Sequence, residues 1–167
     1  HKVLYVNKHI NKGVNMPNWT YNTVVFEGNE KQLETLKTML KSNENDFDFN
    51  NIIPMPKNIF RGPLGREEEE KYGDNNWYRW SIDNWGTKWN SVGTRVELKD
   101  GSLYYTFDTA WDCPREIVNA LMRMKKTILK DIKISWECIH EDGYEEETII
   151  DIDSLFNQED YNEETSN

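Results

Sequence analysis

Aromatic and cationic side chains recur together in the middle of this chain. Five of its seven tryptophans lie between residues 77 and 111, and lysine and arginine side chains stand among them. An indole ring can stack on a nucleobase, a contact worth about 1–3 kcal/mol per base, and a neighbouring cation can bind a phosphate. The pattern therefore indicates a site for a small nucleotide-type ligand. The candidate ligand-binding residues are Trp77, Arg79, Trp80, Trp85, Lys88, Trp89, Thr109, Trp111 and Arg115.

The same tryptophans have an alternative interpretation as core residues. At about 100° per residue, one helix face collects both Trp85 and Trp89, so these two rings could fill the core, as could Trp111. Trp80 points away from that face, and Trp77 lies at its rim. Large exposed aromatic side chains usually mark a contact surface. Trp77 and Trp80 are therefore candidates for such a surface.

Catalytic and metal-binding patterns are missing from the sequence. It has no G-x-x-x-x-G-K-[ST] or G-x-G-x-x-G loop for phosphates and no H-E-x-x-H pair for zinc. His9 and His140 have no serine or cysteine partner in a recognisable context. Asp151-x-Asp153 begins like a calcium loop, but Phe156 occupies the position that needs glycine. We assign no catalytic residue, no metal ligand and no cofactor, and the sequence favours a protein that is not an enzyme without deciding the point.

Two cysteines, Cys113 and Cys138, lie far apart in the sequence and form no C-x-x-C pair. Neither a zinc site nor a disulfide framework is indicated. Free cysteines usually pack as small hydrophobic side chains. We predict that both are reduced thiols in the core.

The negative charge of the chain is concentrated near its end. The net charge is −10, yet residues 137–167 hold twelve acidic residues and no lysine or arginine. The preceding residues carry twenty basic and eighteen acidic side chains, a net charge of +2. Direct nucleic-acid binding, which needs a basic domain, is not expected. The acidic end is a solubilising extension, a mimic of the DNA backbone or a docking strip for a basic partner.

The hydropathy of the chain indicates no membrane contact. It contains no run of eighteen apolar residues, and it shows no basic-then-apolar leader. We expect a cytoplasmic protein.

Two Asp-Gly pairs predict β-hairpins, since a type I′ turn needs positive φ at both central positions. The first pair is flanked by alternating apolar residues, which predict a two-residue loop with Leu98 opposite Leu103. The pairs are Asp100-Gly101 and Asp142-Gly143.

The second hairpin needs a longer loop. A two-residue loop would set Ile134 against an aspartate, which is the wrong face. We predict the three-residue loop Glu141–Gly143, which aligns Ile134 with Ile150 and Ile132 with Ile152.

Helix signals occur at three places. Asn29 and Asn76 are predicted helix N-caps, and Gly86 is the predicted end of the second helix. A third helix begins near Asp112, with Pro114 in its first turn.

Two segments lie between the first two helices. The apolar residues of 47–53 predict a short extended segment, which prolines terminate. Residues 57–76 read as a loop. Its run of four glutamates, Glu67–Glu70, is a solvated stretch or a short helical turn.

This order of elements predicts an α+β fold of the ferredoxin-like type, an antiparallel sheet with helices packed on one face. We divide the chain into an N-terminal arm or edge strand (1–21), a ferredoxin-like domain (22–156) and an acidic, disordered tail (157–167).

Three short motifs carry a resemblance to a known family. They are Ile53-Pro54-Met55-Pro56, Trp85-Gly86-Thr87-Lys88-Trp89-Asn90 and Thr109-Ala110-Trp111-Asp112-Cys113-Pro114. Over residues 22–152 they resemble the YubB-type ferredoxin-like domain family of phages, prophages and conjugative plasmids, and W-G-T-K-W is the most specific part. The resemblance implies a ferredoxin-like fold and a mobile-element origin, and it implies no reaction. The glutamate-rich loop and the acidic tail depart from the family's pattern.

The leading hypothesis is a phage- or plasmid-encoded, non-catalytic binding protein that antagonises a host defence pathway by sequestering a nucleotide-type signalling ligand. One alternative is an inhibitor that binds a host defence protein through the acidic strand and tail. Another is a hydrolase of nucleotides or nucleic acid that uses loop carboxylates. A third is a homo-oligomeric accessory protein without a ligand. The surplus aromatics, the mobile-element resemblance and the missing catalytic motifs favour the first.

Overall fold

The structure, a computed structural model, describes residues 18–141 and 148–152. Within that part, five strands form one sheet, accompanied by four α-helices and a short 3₁₀ helix. The strands are β1 (Trp19–Glu27), β2 (Val92–Lys99), β3 (Ser102–Ala110), β4 (Lys133–His140) and β5 (Thr148–Asp151); the helices are α1 (Glu30–Leu40), α2 (Arg66–Tyr72), α3 (Trp77–Trp85) and α4 (Arg115–Met124), with the 3₁₀ helix at Phe49–Asn51. The described part is an α+β domain.

The sheet has the strand order β2-β3-β1-β4-β5, and every neighbouring pair is antiparallel. Side chains of β1 alternate, so that Val24 and Phe26 are completely buried while Tyr21 is exposed on the other face. The leucines of α1 join the same buried cluster, as do Ile117 and Leu121 of α4. The core therefore lies between the sheet and these two helices.

Strands β2 and β3 are connected by Asp100 and Gly101, whose φ angles are 52° and 76°. Both values lie in the left-handed region that a type I′ turn requires. The register pairs Leu98 with Leu103, which is the pairing that a two-residue loop implies.

The register between β4 and β5 differs from the predicted one. Ile150 pairs with Trp136, so its predicted alignment with Ile134 was wrong by two residues. Because side chains alternate with a period of two, an even shift does not exchange the two faces of a strand, and Ile152, just after β5, is completely buried. The apolar alternation thus predicts which face of the strand turns to the core, but it does not predict the register of β5 against β4. The Asp142-Gly143 turn lies outside the described residues.

Local signals set the ends of α1 and α3. Asn29 Oδ1 accepts a hydrogen bond from Gln32 N (2.9 Å), and Asn76 Oδ1 accepts one from Arg79 N (3.0 Å). Gly86 ends α3 in the left-handed conformation, with φ at 79°. The predicted caps at Asn29 and Asn76 and the predicted end at Gly86 are confirmed.

Two segments differ from their predicted structure. Residues Phe49–Asn51 form a 3₁₀ helix where the sequence predicts an extended segment, because Asp48 Oδ1 accepts a hydrogen bond from Asn50 N (2.9 Å). Residues Arg66–Tyr72 form α2 within the predicted loop 57–76, at the glutamate run for which a short helical turn was the alternative. There the Glu68 carboxylate accepts a hydrogen bond from the backbone N–H just before the helix (3.1 Å). In both places a single side chain stabilises the first turn.

The first described strand is β1 and the last is β5. β1 begins at Trp19, three residues before the predicted start of the domain at residue 22. The arm predicted before residue 18 and the tail predicted after residue 156 lie outside the described residues. No helix in the described ranges combines the length and the apolar character that crossing a bilayer requires.

Candidate functional site

The W-G-T-K-W and T-A-W-D-C-P motifs meet on one side of the domain. Gly86 lies so close to the first turn of α4 that a Cβ atom on it would stand 3.2 Å from Arg115 N. The next residue, Thr87, is buried, and its Oγ1 donates a hydrogen bond to Ala110 O (2.7 Å). These contacts hold the end of α3 against residues 111–114, which we call the β3–α4 turn.

Lys88 follows this contact, and its ammonium group lies among three aromatic rings. The distance from Nζ to the ring centre is 4.7 Å for Trp89, 5.3 Å for Trp111 and 5.6 Å for Tyr78. Separations within about 6 Å allow cation–π attraction. We refer to Tyr78, Lys88, Trp89 and Trp111 as the Lys88 cluster.

Trp111 is the most exposed ring of the Lys88 cluster. Its side chain is 41% exposed, and its φ of 78° lies in the left-handed region, where a bulky residue is an outlier. Such strain costs about 1–3 kcal/mol and persists only where the surroundings hold it, often at functional sites. The Trp111 N–H donates to Asn18 O (2.8 Å), and its ring meets Tyr78 edge-on. The fold holds an indole ring at the surface beside a cation despite this strain.

Buried hydrogen bonds support the β3–α4 turn from the sheet. Asn22 Nδ2 on β1 donates to Thr109 Oγ1 (2.9 Å), and Thr109 Oγ1 donates to Asp112 O (2.8 Å). Asn22 Oδ1 accepts a hydrogen bond from Trp136 Nε1 (3.0 Å). Thr109, a predicted ligand contact, is completely buried, and its role in this geometry is to position the turn. The sequence gives no local signal for the part played by Asn22.

A disulfide joins Cys113 of the β3–α4 turn to Cys138 of β4. The prediction of two reduced thiols was therefore wrong. The two Cα atoms lie 5.9 Å apart, within the usual range for a bridge. Their 25-residue separation hides this proximity, because it is created by the return of the chain from α4 into β4. The turn that carries Trp111 is covalently attached to the sheet.

His140 adds a polar contact beside the same turn. Its Nε2 lies 3.7 Å from Asp112 Oδ1, and its Nδ1 lies 3.1 Å from Thr20 Oγ1. Threonine, histidine and aspartate are residue types that could form a hydrolytic triad, but Thr20 is completely buried, so no external substrate reaches its hydroxyl. In residues 18–141 and 148–152, no three His, Cys, Asp or Glu side chains could share a metal ion. The geometry supports a structural role for His140.

Two predicted tryptophans of α3 pack inward. Trp85 is 4% exposed, and its Nε1 donates to Ile53 O (2.9 Å). The Trp80 ring lies 5.3 Å from the Trp85 ring and packs against the core. The helical wheel predicts that Trp80 points away from the core, and this was wrong, because its ring meets the buried Trp85 ring edge-on and packs against the core cluster.

The other predicted residues surround the Lys88 cluster without joining it. Trp77 is half-buried, and its Nε1 donates to Gly62 O (3.0 Å). Arg79 forms an exposed ion pair with Asp83 (3.2 Å). Arg115 is exposed in the first turn of α4. Of the nine predicted residues, the structure brings Lys88, Trp89 and Trp111 together.

Two rings at the site are absent from the nine predicted residues. Tyr78 lies on α3, and its ring faces Lys88. Trp19 lies at the start of β1, and its ring centre is 6.0 Å from that of Trp89. Only the pairing of β1 with β3 brings Trp19 to this place, so no sequence pattern around it could have found it.

A separate groove of about 330 Å³ lies between α4 and the segment before α2. None of the nine predicted residues lines it. A ligand of the Lys88 cluster would therefore not lie in this groove. The lining residues are Ile52, Ile53, Pro54, Ala120, Arg123, Met124 and Thr127.

Comparison with models of known protein families, with characterised proteins and with solved structures finds no match for this chain. The resemblance to the YubB-type family therefore remains a prediction.

Proposed function

We propose that this chain is a non-catalytic binding protein that captures a small nucleotide-type ligand on the Lys88 cluster. The observation that carries the proposal is Trp111, an indole ring held at the surface in a strained backbone conformation beside an ammonium group. In the proposed complex a base stacks on the exposed face of Trp111, and a phosphate binds Lys88.

The binding free energy available at the Lys88 cluster restricts which ligand can be held tightly. One stacked base contributes about 1–3 kcal/mol, and one exposed ion pair contributes about 0.2–1 kcal/mol. A dissociation constant of 1 mM corresponds to about 4 kcal/mol. The two contributions together reach at most about 4 kcal/mol, so a mononucleotide held by Trp111 and Lys88 alone binds in the millimolar range at best. Tight sequestration needs a ligand with two bases, which could also stack on the partly exposed Trp89.

The fold assignment belongs to the same proposal. The element order β1-α1-β2-β3-α4-β4 and the strand order β2-β3-β1-β4 fit a ferredoxin-like domain in which the 3₁₀ helix, α2 and α3 are inserted between α1 and β2. β5 adds an edge strand. The Asp100-Gly101 connection fits a type I′ hairpin. We further propose, from the resemblance to a family of mobile elements, that the ligand is a host defence signal and that its capture antagonises host defence.

The test is calorimetric titration of the full chain with AMP, cyclic AMP and cyclic di-AMP, with adenosine as the phosphate-free control. We expect cyclic di-AMP to bind at least about tenfold more tightly than AMP, because two bases can stack. Trp111→Ala should abolish measurable binding. Lys88→Gln should remove the preference for AMP over adenosine.

Tyr104 provides a matched control for this test. It is also 41% exposed, but it lies on β3 away from the Lys88 cluster, so Tyr104→Ala should bind like the wild type. If all three nucleotides fail to bind at millimolar concentration, or if Tyr104→Ala weakens binding as much as Trp111→Ala, the Lys88 cluster is not a nucleotide site.

A further inference from the structure

The disulfide connects a central strand of the sheet, β4, to the short β3–α4 turn. Cys138 lies on β4, which pairs with β1 on one side and with β5 on the other. Cys113 lies in the β3–α4 turn, outside the sheet hydrogen bonds. Both side chains are at most 1% exposed. If the S–S bond is broken, the turn is therefore the side that can move.

The geometry of Trp111 depends on that turn. Its left-handed backbone is strained by about 1–3 kcal/mol, and this strain must be balanced by contacts of the turn. The noncovalent ones include two hydrogen bonds, from Trp111 N to Asn18 O and from Thr109 Oγ1 to Asp112 O, and the approach of Asp112 to His140. The Trp111 ring also contacts Tyr78 and Lys88. A hydrogen bond contributes about 0.5–1.5 kcal/mol net. The stabilisation that a disulfide contributes, typically about 2–4 kcal/mol, is comparable with the stabilisation that these noncovalent contacts contribute together.

We infer that the Cys113–Cys138 disulfide is a redox latch that controls access to the Lys88 cluster. In the oxidised chain the latch holds Trp111 beside Lys88. In the reduced chain the β3–α4 turn relaxes, Trp111 leaves the left-handed conformation, and the stacking surface is lost. The effect on ligand capture rests on the proposed function, whereas the movement of the turn does not.

The chemical step is thiol–disulfide exchange with a dithiol reductant. A thiolate of the reductant attacks one cysteine sulfur, the Cys113–Cys138 bond breaks, and a mixed disulfide forms. The second thiol of the reductant displaces that sulfur. The products are two protein thiols and the oxidised, disulfide form of the reductant, so two electrons pass from the reductant to the protein. Because both cysteines are buried, the attack requires the turn to open first.

Hydrogen exchange measured by mass spectrometry tests the latch in the full chain. Oxidised protein, dithiothreitol-reduced protein and the Cys113→Ser/Cys138→Ser variant are compared under native conditions. We expect exchange of the amides at residues 111–113 to become at least about tenfold faster in the two forms without the disulfide. The amides of β3 at residues 104–106, which pair on both sides, serve as the internal control and should change much less.

Binding of cyclic di-AMP to the same three samples gives the second readout. The latch predicts binding by the oxidised protein only, with recovery when the reduced protein is reoxidised. Unchanged exchange at residues 111–113 overturns the proposal, and so does an equal rise throughout the sheet, which would indicate global destabilisation. If the turn amides respond but no form binds a nucleotide, the latch stands and the proposed function fails.

Discussion

At Trp111 the backbone and the side chain favour different residue types. A φ of 78° suits glycine, whereas the ring contacts Lys88 and Tyr78. Elsewhere in a folded chain, alanine is favoured over glycine by about 0.5–1 kcal/mol, because glycine loses more conformational entropy on folding. In the left-handed region the order reverses, because a Cβ atom there costs about 1–2 kcal/mol.

This reversal gives a prediction at residue 111. Trp111→Gly should be more stable than Trp111→Ala by about 1 kcal/mol, measured by urea unfolding, although neither should bind a nucleotide. The control pair is Tyr104→Gly and Tyr104→Ala on β3, where alanine should be the more stable. Equal or opposite ordering at residue 111 would contradict the strained conformation.

Tyr105 offers a second test at the scale of one residue. Its hydroxyl is the buried side-chain group that lacks a hydrogen-bond partner in the described ranges, and burial raises the pKa of this phenol. Because the ring already packs against Phe26 and Phe47, Tyr105→Phe removes only the desolvated hydroxyl. We expect the free energy of unfolding to rise by about 1 kcal/mol. Tyr104→Phe, at an exposed site, should have little effect, and a loss of stability in Tyr105→Phe would show that the hydroxyl is bonded.

Between elements, the contact of α3 with α4 depends on Gly86. A Cβ atom at this position would meet Arg115 N at 3.2 Å, whereas one at Gly93, whose φ is also positive, would have no neighbour within 4 Å. Both glycine-to-alanine variants suffer backbone strain of about 1–2 kcal/mol, but only Gly86→Ala also forces the helices apart.

We therefore expect Gly86→Ala to lose at least about 1 kcal/mol more stability than Gly93→Ala, measured by urea unfolding. It should also weaken nucleotide binding, because Lys88 lies two residues further on. Equal losses of unfolding free energy in the two variants would show that a Cβ atom at residue 86 fits between α3 and α4 without a clash.

Asp48 links the 3₁₀ helix to the segment before β2. Burial would raise the pKa of its carboxyl group, but hydrogen bonds from Asn90 and Asn50 outweigh this, and the pKa lies below its usual value. A lowered folded-state pKa means that the stability contributed by the carboxylate is present above the unfolded-state pKa, near 3.9. It is lost as the pH falls through the folded-state pKa.

Asp48→Asn should lower the free energy of unfolding by about 1 kcal/mol at neutral pH. The difference from the wild type should shrink below about pH 4, as measured by urea unfolding at several pH values. Asp74→Asn, at an exposed position, is the control and should change little. A difference that stays constant down to acidic pH would contradict the role of the charge.

How far the sequence predicts these elements depends on whether the signal is local. Asn29 sets the start of α1, and Asn76 and Gly86 set the two ends of α3. Each signal acts within one helical turn, and these three positions were predicted correctly. The register of β5 depends on residues beyond its apolar alternation, so only its face followed from the pattern. The Cys113–Cys138 bond joins a turn to a strand, and spacing in the sequence carries no information on their distance.

At the scale of the whole molecule, the strand order decides which motifs form the site. W-G-T-K-W and T-A-W-D-C-P were singled out from the sequence, and both contribute to the Lys88 cluster. Trp19 and Asn22 were not, because β1 reaches the site only by pairing between β3 and β4. The sequence thus identified the aromatic and cationic groups, while their arrangement required the tertiary structure.

The Lys88 cluster can be tested directly by the indole N–H resonances of the chain, which has seven tryptophans. In a ¹⁵N-labelled sample titrated with cyclic di-AMP, the Trp111 and Trp89 signals should shift together. The Trp136 signal should stay in place, because its buried N–H donates to Asn22. A Trp111 signal that does not move at millimolar nucleotide, or shifts confined to other tryptophans, would contradict the account.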